Sequence, residues 1–210
     1  MFKWLKGLFS KKKQNTKRKK VIALLSEDRC GKSELADFLT HHLDILKLKI
    51  HERELFNFGD DLKYSYVKLT GCTIEELNDC KNGIKKCRYH KIHGNCREGI
   101  INYSIIKKKQ YGKDFFTKKT IKRILKSNKD FLIIADLRFL TEVNLLKENF
   151  DVNIVKVISD LDTCGKNKEK YELDFIEHDT ILHIKKIEEL TIEKYIKMLD
   201  VNELYKVINF

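Results

Sequence analysis

The chain has 210 residues and a net charge of +12, with 42% hydrophobic and 35% charged residues. This length is enough for one domain with a buried core, and the composition is that of a globular protein. No apolar run approaches the ~18 residues of a membrane-spanning helix. Residues 1–20 carry +9 and the remaining 190 carry +3, which argues against a domain that grips nucleic acid over its whole face.

The N-terminal segment, residues 1–19, predicts a basic amphipathic tail. Projected as a helix, its first nine residues place these side chains on one face: Met1, Phe2, Trp4, Leu5, Leu8 and Phe9. The polybasic run KKKQNTKRKK follows. Apolar side chains can enter a lipid interface while lysines meet anionic headgroups, so the tail predicts peripheral attachment to an anionic membrane. A solubilising tail without fixed structure, or docking to nucleic acid or protein, is the alternative.

From residue 20 onwards, short apolar runs alternate with helical patterns, which predicts an α/β fold with a parallel sheet flanked by helices. The predicted strands are 20–25, 46–51, 131–135, 152–158 and 180–184. The predicted helices are 31–43, 116–125, 141–148, 188–199 and 202–207. Residues 60–106 are polar and helical, with breaks near Gly71, Gly83 and Gly94.

The stretch VIALLSEDRCGKSELADFL (21–39) resembles a phosphate-binding loop of the pattern G-x-x-x-x-G-K-[ST], placed between a strand and a helix. In such a loop Lys32 reaches the β- and γ-phosphates of ATP, and the Ser33 hydroxyl ligates Mg²⁺. The whole predicted loop is Ser26, Glu27, Asp28, Arg29, Cys30, Gly31, Lys32 and Ser33. The alternative is a helix N-terminus capped near Ser33.

Two features of this loop depart from the pattern. Ser26 stands where the first glycine belongs, and a small residue with a capping hydroxyl can make that turn. Glu27 and Asp28 lie close to the phosphate position, and their side chains can point to solvent because only the backbone has to face the phosphates.

The second strand-end motif is FLIIADLR (131–138), in which an acid ends a buried strand. Asp136 is therefore expected at the mouth of the sheet, where α/β folds bind ligands, with a role toward Mg²⁺ or substrate. Arg138 is expected to bind phosphate through its two-pronged guanidinium. The alternative for Asp136 is a cap on the next helix.

Four segments together resemble the deoxynucleoside monophosphate kinases of phages and large viruses, over residues 20 to 190. Besides the loop, FNFGDDLK (56–63) resembles their F-A-D-P-L-K segment, REGIINYSIIKKKQYGKDFF (97–116) is similar to their R-x-x-L-I…Y-G-x-D-x-F stretch, and DLRFLTEVNLLKE (136–148) resembles their D-x-R-F-x-x-E segment.

The resemblance implies a three-layer P-loop kinase fold over residues 20–210, with a helical substrate lobe at about 60–127 and a lid at about 160–177. It implies a cytoplasmic enzyme that transfers the ATP γ-phosphoryl group to a (deoxy)nucleoside monophosphate. By matched position, Lys32 and Ser33 serve ATP and Mg²⁺. The implied acceptor-side residues are Asp60, Lys63, Arg97, Asp136 and Arg138, with Lys32, Arg97, Asp136 and Arg138 catalytic and Ser33 and Asp136 at the metal.

The chain also departs from the family. Asp61 replaces the usual proline, which predicts a less rigid turn, and His183 replaces an asparagine. No arginine follows Arg138, so the lid offers Lys166, Lys168 and Lys170 instead of the two-pronged arginines. Two other functions therefore stay open: a weakened nucleotide-binding protein that acts through its tail, and a P-loop kinase for another phosphate acceptor.

Six cysteines are expected to be reduced thiols, as in a cytosolic protein. CRYHKIHGNC (87–96) spaces two cysteines and two histidines as C-x₂-H-x₂-H-x₂-C, a combination that can bind zinc. Side chains three residues apart wind around a helix, so one straight helix cannot close around the ion. Ordinary cysteines and histidines of the substrate lobe are the favoured interpretation.

Overall fold

The structure is a computed structural model, and it describes residues 18–27, 30–42, 52–81, 96–160, 173–184 and 201–210. In this part the chain forms a five-stranded, all-parallel sheet flanked by helices, which confirms the predicted α/β fold with a parallel sheet. The strands are β1 (Lys20–Leu25), β2 (Arg53–Phe56), β3 (Phe131–Leu137), β4 (Asp151–Ser159) and β5 (Thr180–Ile184). The helices are α1 (Lys32–His41), α2 (Phe58–Thr70), α3 (Ile74–Lys81), α4 (Cys96–Tyr111), α5 (Phe115–Lys126), α6 (Leu140–Asn149) and α7 (Val201–Ile208).

The strand order is β2-β3-β1-β4-β5, which places β1 at the centre. The strand is buried on both faces: Ile22 and Leu24 pack with α1 and α7, while Val21 and Leu25 pack with α5 and α6. The chain leaves β1 along one face and passes from β3 to β4 along the other. The carboxyl ends of β1 and β3 therefore form a switch point, where open α/β sheets bind ligands.

The described elements follow most of the sequence predictions. The strands at 20–25 and 180–184 have the predicted bounds, and the two apolar runs at 131–135 and 152–158 extend into longer strands. The predicted strand at 46–51 and the helix at 188–199 lie outside the described residues. The second described strand is the edge strand Arg53–Phe56 (RELF), in which two charged residues precede two apolar ones, so the sequence shows no period-2 alternation.

Strand β3 contains an irregularity next to its end. Ala23 of β1 pairs with Ile134, but Leu25 pairs with Leu137. Over this stretch β3 therefore advances by three residues while β1 advances by two. Leu137 consequently packs on the same face as Ile134, although a regular strand would turn it to the other face. Because of this extra residue, Asp136 does not follow the alternation of side chains between the two faces. It lies near the carboxyl end of β3.

Helices α2 to α5 form a lobe with a small core of its own, built from Tyr66, Leu77, Cys96 and Ile100. A disulfide between Cys80 and Cys96 joins α3 to α4. The expectation of reduced thiols is wrong for this pair, because packing of the two helices brings the sulfur atoms together. It also removes Cys96 from the zinc cluster considered above, whose other members, Cys87, His90 and His93, lie outside the described residues.

The tail enters the body beside helix α5. The Arg18 guanidinium donates a hydrogen bond to the Lys147 carbonyl (3.3 Å). The Lys19 ammonium donates to the carbonyls of Leu125 (3.3 Å) and Ser127, which end α5. Lys19, assigned to the tail from the sequence, thus contacts the body, while the amphipathic stretch lies outside the described residues. No helix in the described part is long and apolar enough to cross a membrane.

Candidate functional site

The predicted phosphate loop follows β1 directly. Ser26 is buried, and its hydroxyl donates to the Glu27 carbonyl at 2.8 Å. The Lys32 ammonium donates to the Ser26 carbonyl at 2.7 Å, so the lysine spans the loop from its last turn to its first residue. Glu27 is exposed. Asp28 and Arg29 lie outside the described residues.

Two features of Gly31 favour glycine at this position. Its φ is +81°, in the left-handed region that side chains disfavour. A Cβ atom at this position would also lie 3.1 Å from the Ile184 Cδ1 atom of β5. Helix α1 begins at the next residue, and Ser33 exposes its side chain to the neighbouring cleft.

A cleft of about 460 Å³ lies between the end of β3, the start of α1 and the helical lobe. Its volume falls in the range of small-molecule sites. The lining residues are Ser33, Asn57, Phe58, Gly59, Leu62, Lys63, Lys81, Ile100, Ser104, Lys108, Phe116, Asp136, Arg138, Phe139 and Glu142. The cleft thus brings together Ser33, Lys63, Asp136 and Arg138 from the predicted site.

Asp136 joins the sheet to the lobe. Its two carboxylate oxygens accept hydrogen bonds from the backbone N–H groups of Phe58 (2.6 Å) and Gly59 (2.9 Å). The carboxylate therefore caps α2, rather than the helix that follows it in sequence. Burial raises the pKa of Asp136 above its ordinary value, and the two N–H donors and Lys63 act in the opposite direction. A Cβ on Gly59 would lie 3.3 Å from this carboxylate, so the close approach suits glycine.

Glu142 fixes the position of Arg138. Its buried carboxylate accepts hydrogen bonds from the backbone N–H groups of Arg138 (2.9 Å) and Phe139 (3.1 Å) at the start of α6. This explains the acid in DLRFLTE, whose role is not apparent from the sequence alone. The backbone that carries the Arg138 guanidinium is thereby held at the cleft.

The charge balance of the cleft favours an anionic ligand. Four basic side chains line it: Lys63, Lys81, Lys108 and Arg138. Only two acids line it, Asp136 and Glu142, and each is engaged by two backbone N–H bonds. Of the four bases, Lys63 lies 3.5 Å from Asp60.

The adjacent acids Asp60 and Asp61 hold the lobe together. Asp60 lies 3.5 Å from the Lys63 ammonium and 3.8 Å from Arg123. Asp61 accepts a hydrogen bond from the Thr120 hydroxyl (2.8 Å) and lies 3.5 Å from the Arg123 Nε atom. Asp61 lies inside α2 and ties it to α5. The expected looser turn at this position is therefore wrong.

Besides Asp60, Arg97 is a predicted acceptor-side residue that does not line the cleft. It lies exposed on the first turn of α4, and the cleft wall is built from residues one, two and three turns further along. Ile100, Ser104 and Lys108 recur at four-residue spacing and so share the helix face toward the cleft.

Sequence reasoning also missed several lining residues. The spacing of Ser104 and Lys108 is visible in the sequence, but ordinary amphipathic helices have the same spacing, so it does not identify a binding site. The Lys108 ammonium lies 5.6 Å from the centre of the Phe139 ring, a contact that only the fold creates. Lys81 ends α3 and reaches the cleft through the packing of the lobe.

The lid is largely outside the described residues. Of the predicted range 160–177, residues 161–172 are not described, and with them Lys166, Lys168 and Lys170. Leu173–Phe175 forms a short 3-10 helix, and His183 is exposed on β5. No group of His, Cys, Asp and Glu side chains in the described part is arranged to hold a metal ion. A scan against protein-family models and a search among curated proteins found no match.

Proposed function

We propose that this protein is a P-loop kinase that transfers the γ-phosphoryl group of ATP to a nucleoside or deoxynucleoside monophosphate. The observation that carries the proposal is the position of the basic cleft. It opens at Ser33, directly beside the loop that resembles a phosphate cradle, at the switch point of the sheet. A donor in the loop and an acceptor in the cleft would therefore be neighbours.

The chemistry of phosphoryl transfer fits these side chains. The reaction needs mainly positioning and positive charge around the transferring group. In this proposal Lys32 leaves the Ser26 carbonyl to bind the terminal phosphates of ATP, and the Ser33 hydroxyl holds Mg²⁺. Asp136 sits beside them, but both of its oxygens cap α2, so we assign it to positioning of the lobe and, through a further lone pair, to the hydration shell of the ion.

The acceptor would bind on the lobe side. Lys63, Lys108 and Arg138 offer cations to an acceptor phosphate, and the resemblance of FNFGDDLK and DLRFLTE to the kinase family supports the same assignment. Asp60 is engaged with Lys63 and Arg123, so we assign it to orienting Lys63. Arg97 is exposed beyond the cleft and is given no catalytic role in this proposal.

The test is a panel of ribo- and deoxynucleoside monophosphates incubated with ATP and Mg²⁺, with diphosphate formation followed by chromatography. At least one monophosphate should be converted, and Lys32→Ala should reduce conversion to background. Lys68→Ala, which removes an exposed lysine of α2, serves as the matched control and should retain activity.

Other outcomes separate the alternatives. ATP binding by calorimetry without turnover of any monophosphate would favour the weakened nucleotide-binding protein. Turnover of a different phosphate acceptor would favour the other P-loop kinase. If the protein neither binds ATP nor turns over any phosphate acceptor, that result would contradict the P-loop assignment itself.

A further inference from the structure

The Cys80–Cys96 disulfide joins two helices that contribute to the same wall of the cleft. Cys96 begins a row of α4 whose next members, at four-residue spacing, are the cleft residues Ile100 and Ser104. On α3, Cys80 directly precedes Lys81, which is the lining residue that this helix contributes. The disulfide therefore connects adjoining parts of the lobe wall.

The position of α3 depends on its contacts with the rest of the lobe. Its eight residues are fewer than the roughly 12–15 that an isolated helix needs in water, so packing has to hold it. Leu77, Cys80 and Lys81 lie on one face of the helix, at spacings of three and four residues. Leu77 is the buried residue of α3 in the lobe core, and the half-buried Cys80 packs against that core. The disulfide is therefore a covalent constraint on where α3 places Lys81.

Lys81 is the basic side chain of the cleft that the proposed function leaves without a role. A lysine is a point charge on a flexible stem, so its attraction for a phosphate depends on where the helix holds that stem. Ordering a mobile side chain or segment on binding costs conformational entropy, and a group held in place beforehand avoids part of that cost. A crosslink beside Lys81 should therefore favour phosphate binding at this wall.

We propose that the Cys80–Cys96 disulfide positions Lys81 as a cation for the acceptor phosphate, and that reduction of the disulfide weakens acceptor binding. This inference rests on the proposed transfer to a nucleoside monophosphate. The ATP side should not respond, because Lys32 and Ser33 belong to the loop and helix that follow β1 and lie outside the lobe. The redox state of one disulfide would thus regulate one of the two substrates.

The redox step is an exchange with a dithiol reductant, such as dithiothreitol or a protein dithiol. Cys80 is half-buried and Cys96 exposes 2% of its surface, so the Cys80 sulfur is the more accessible one. A thiolate of the reductant attacks that sulfur, the S–S bond breaks, and Cys96 leaves as a thiolate that takes up a proton. The second thiol of the reductant then attacks the mixed disulfide and releases Cys80. Two electrons and two protons pass to the protein, and the reductant leaves as its own disulfide.

The test measures KM for the best monophosphate acceptor and KM for ATP, with the full-length protein oxidised or reduced by dithiothreitol. Alkylation with a polyethylene-glycol maleimide, followed by electrophoresis, reports whether the pair is reduced. Reduction should raise KM for the acceptor by roughly three- to ten-fold, as expected when one hydrogen bond of ordinary strength is lost.

Variants assign the effect to these residues. Cys80→Ser with Cys96→Ser should show the raised acceptor KM in both conditions and should leave KM for ATP unchanged. Cys72→Ser, which removes a cysteine outside this disulfide, is the matched control and should respond like the unmodified protein. Lys81→Gln should raise the acceptor KM and remove most of the response to dithiothreitol. Lys68→Gln, the same charge change at an exposed position of α2, should alter neither.

The proposal is wrong if the pair is reduced and the acceptor KM does not change, or if Cys80→Ser with Cys96→Ser keeps the response. A changed KM for ATP in this double variant would also contradict it, because the disulfide would then stabilise the whole protein. If the double variant does not fold, the unmodified protein in its two redox states still decides the result. If no monophosphate is converted, the proposed function fails, and hydrogen exchange of residues 74–81 tests the disulfide by itself. Exchange should be faster in the reduced protein, and equal rates would overturn the positioning role.

Discussion

The two ends of the cleft are built in different ways. At the loop end the hydrogen bonds of Ser26 and Lys32 are local: the Ser26 hydroxyl bonds the next residue, and Lys32 bonds a carbonyl six residues back. Gly31 of the same loop also lies against Ile184 of β5. At the lobe end, the contacts join distant parts of the chain. Asp136 binds backbone groups 77 and 78 residues earlier, and Thr120 binds Asp61 across 59 residues. The hydrogen bonds of the loop end are therefore set within a short sequence, while those of the lobe end depend on the completed fold.

This difference predicts distinct responses to substitution, and the largest is expected at Asp136. Asp136→Ala leaves the N–H groups of Phe58 and Gly59 without their acceptor, which should lower the free energy of unfolding by roughly 2–4 kcal/mol. Urea unfolding measures this loss. Asp136→Asn keeps one acceptor oxygen and should lose less. A loss below that of an ordinary surface substitution would show that the lobe is held to the sheet by other contacts.

The same carboxyl group should make the free energy of unfolding depend on pH in a predictable direction. The folded-state pKa of Asp136 is raised by burial, so the folded protein binds a proton at this site more tightly than the unfolded chain. Its contribution to stability is therefore most favourable in acid, and it declines as the pH rises from the ordinary aspartate pKa through the raised folded value. Urea unfolding of the unmodified protein and Asp136→Asn across this window should show a difference that changes in this direction.

At the loop end, Gly31→Ala is expected to have a smaller effect on stability and a specific one on binding. A side chain at positive φ should cost about 1–2 kcal/mol, and Ile184 must move to accommodate the methyl group. We expect ATP affinity by calorimetry to fall as well, because the helix N-terminus would shift. Gly112→Ala is the control, since Gly112 also has a positive φ (+100°) but lies in the turn between α4 and α5. Equal ATP affinity in both variants would show that Gly31 does not contribute to phosphate binding.

The smallest effect is expected for the Asp61–Thr120 hydrogen bond, measured by a double-mutant cycle with Asp61→Ala and Thr120→Val. A partly buried bond to a charged group should give a coupling energy of about 1–2 kcal/mol. The cycle for the exposed pair Asp114–Lys118 should give about 0.3–0.5 kcal/mol. Similar coupling in both cycles would mean that the lobe contact is no stronger than a surface ion pair.

The parts of the molecule that the sequence predicted are those set by local patterns. VIALL and FLIIA are continuous apolar runs, so they had to be strands buried on both faces, and the GKS sequence after VIALL predicted the start of α1. Asp136 and Arg138 were placed at the mouth of the sheet because an acid that ends a buried strand has nowhere else to lie. The structure of these residues is determined by sequence neighbours within about ten positions.

The parts that were missed are set by packing. Nothing in the sequence near Asp136 indicated that its carboxylate would cap α2, because the partners are 77 and 78 residues away. The Cys80–Cys96 disulfide was missed for the same reason, since the bond depends on how α3 meets α4. Arg97 was expected in the site on resemblance alone, and the helix places it one turn before the cleft wall.

The extra residue in β3 has a consequence for how this chain can vary. If Ala135 were lost, Ile134 and Leu137 could keep their partners on β1, and the aspartate would take the position opposite Leu24. Its carboxylate would then point into the apolar layer beneath α1. Exchanges among apolar residues along β3 are therefore tolerable, whereas an in-frame deletion of a single codon there should abolish folding. In this strand the number of residues is under stronger constraint than their identity.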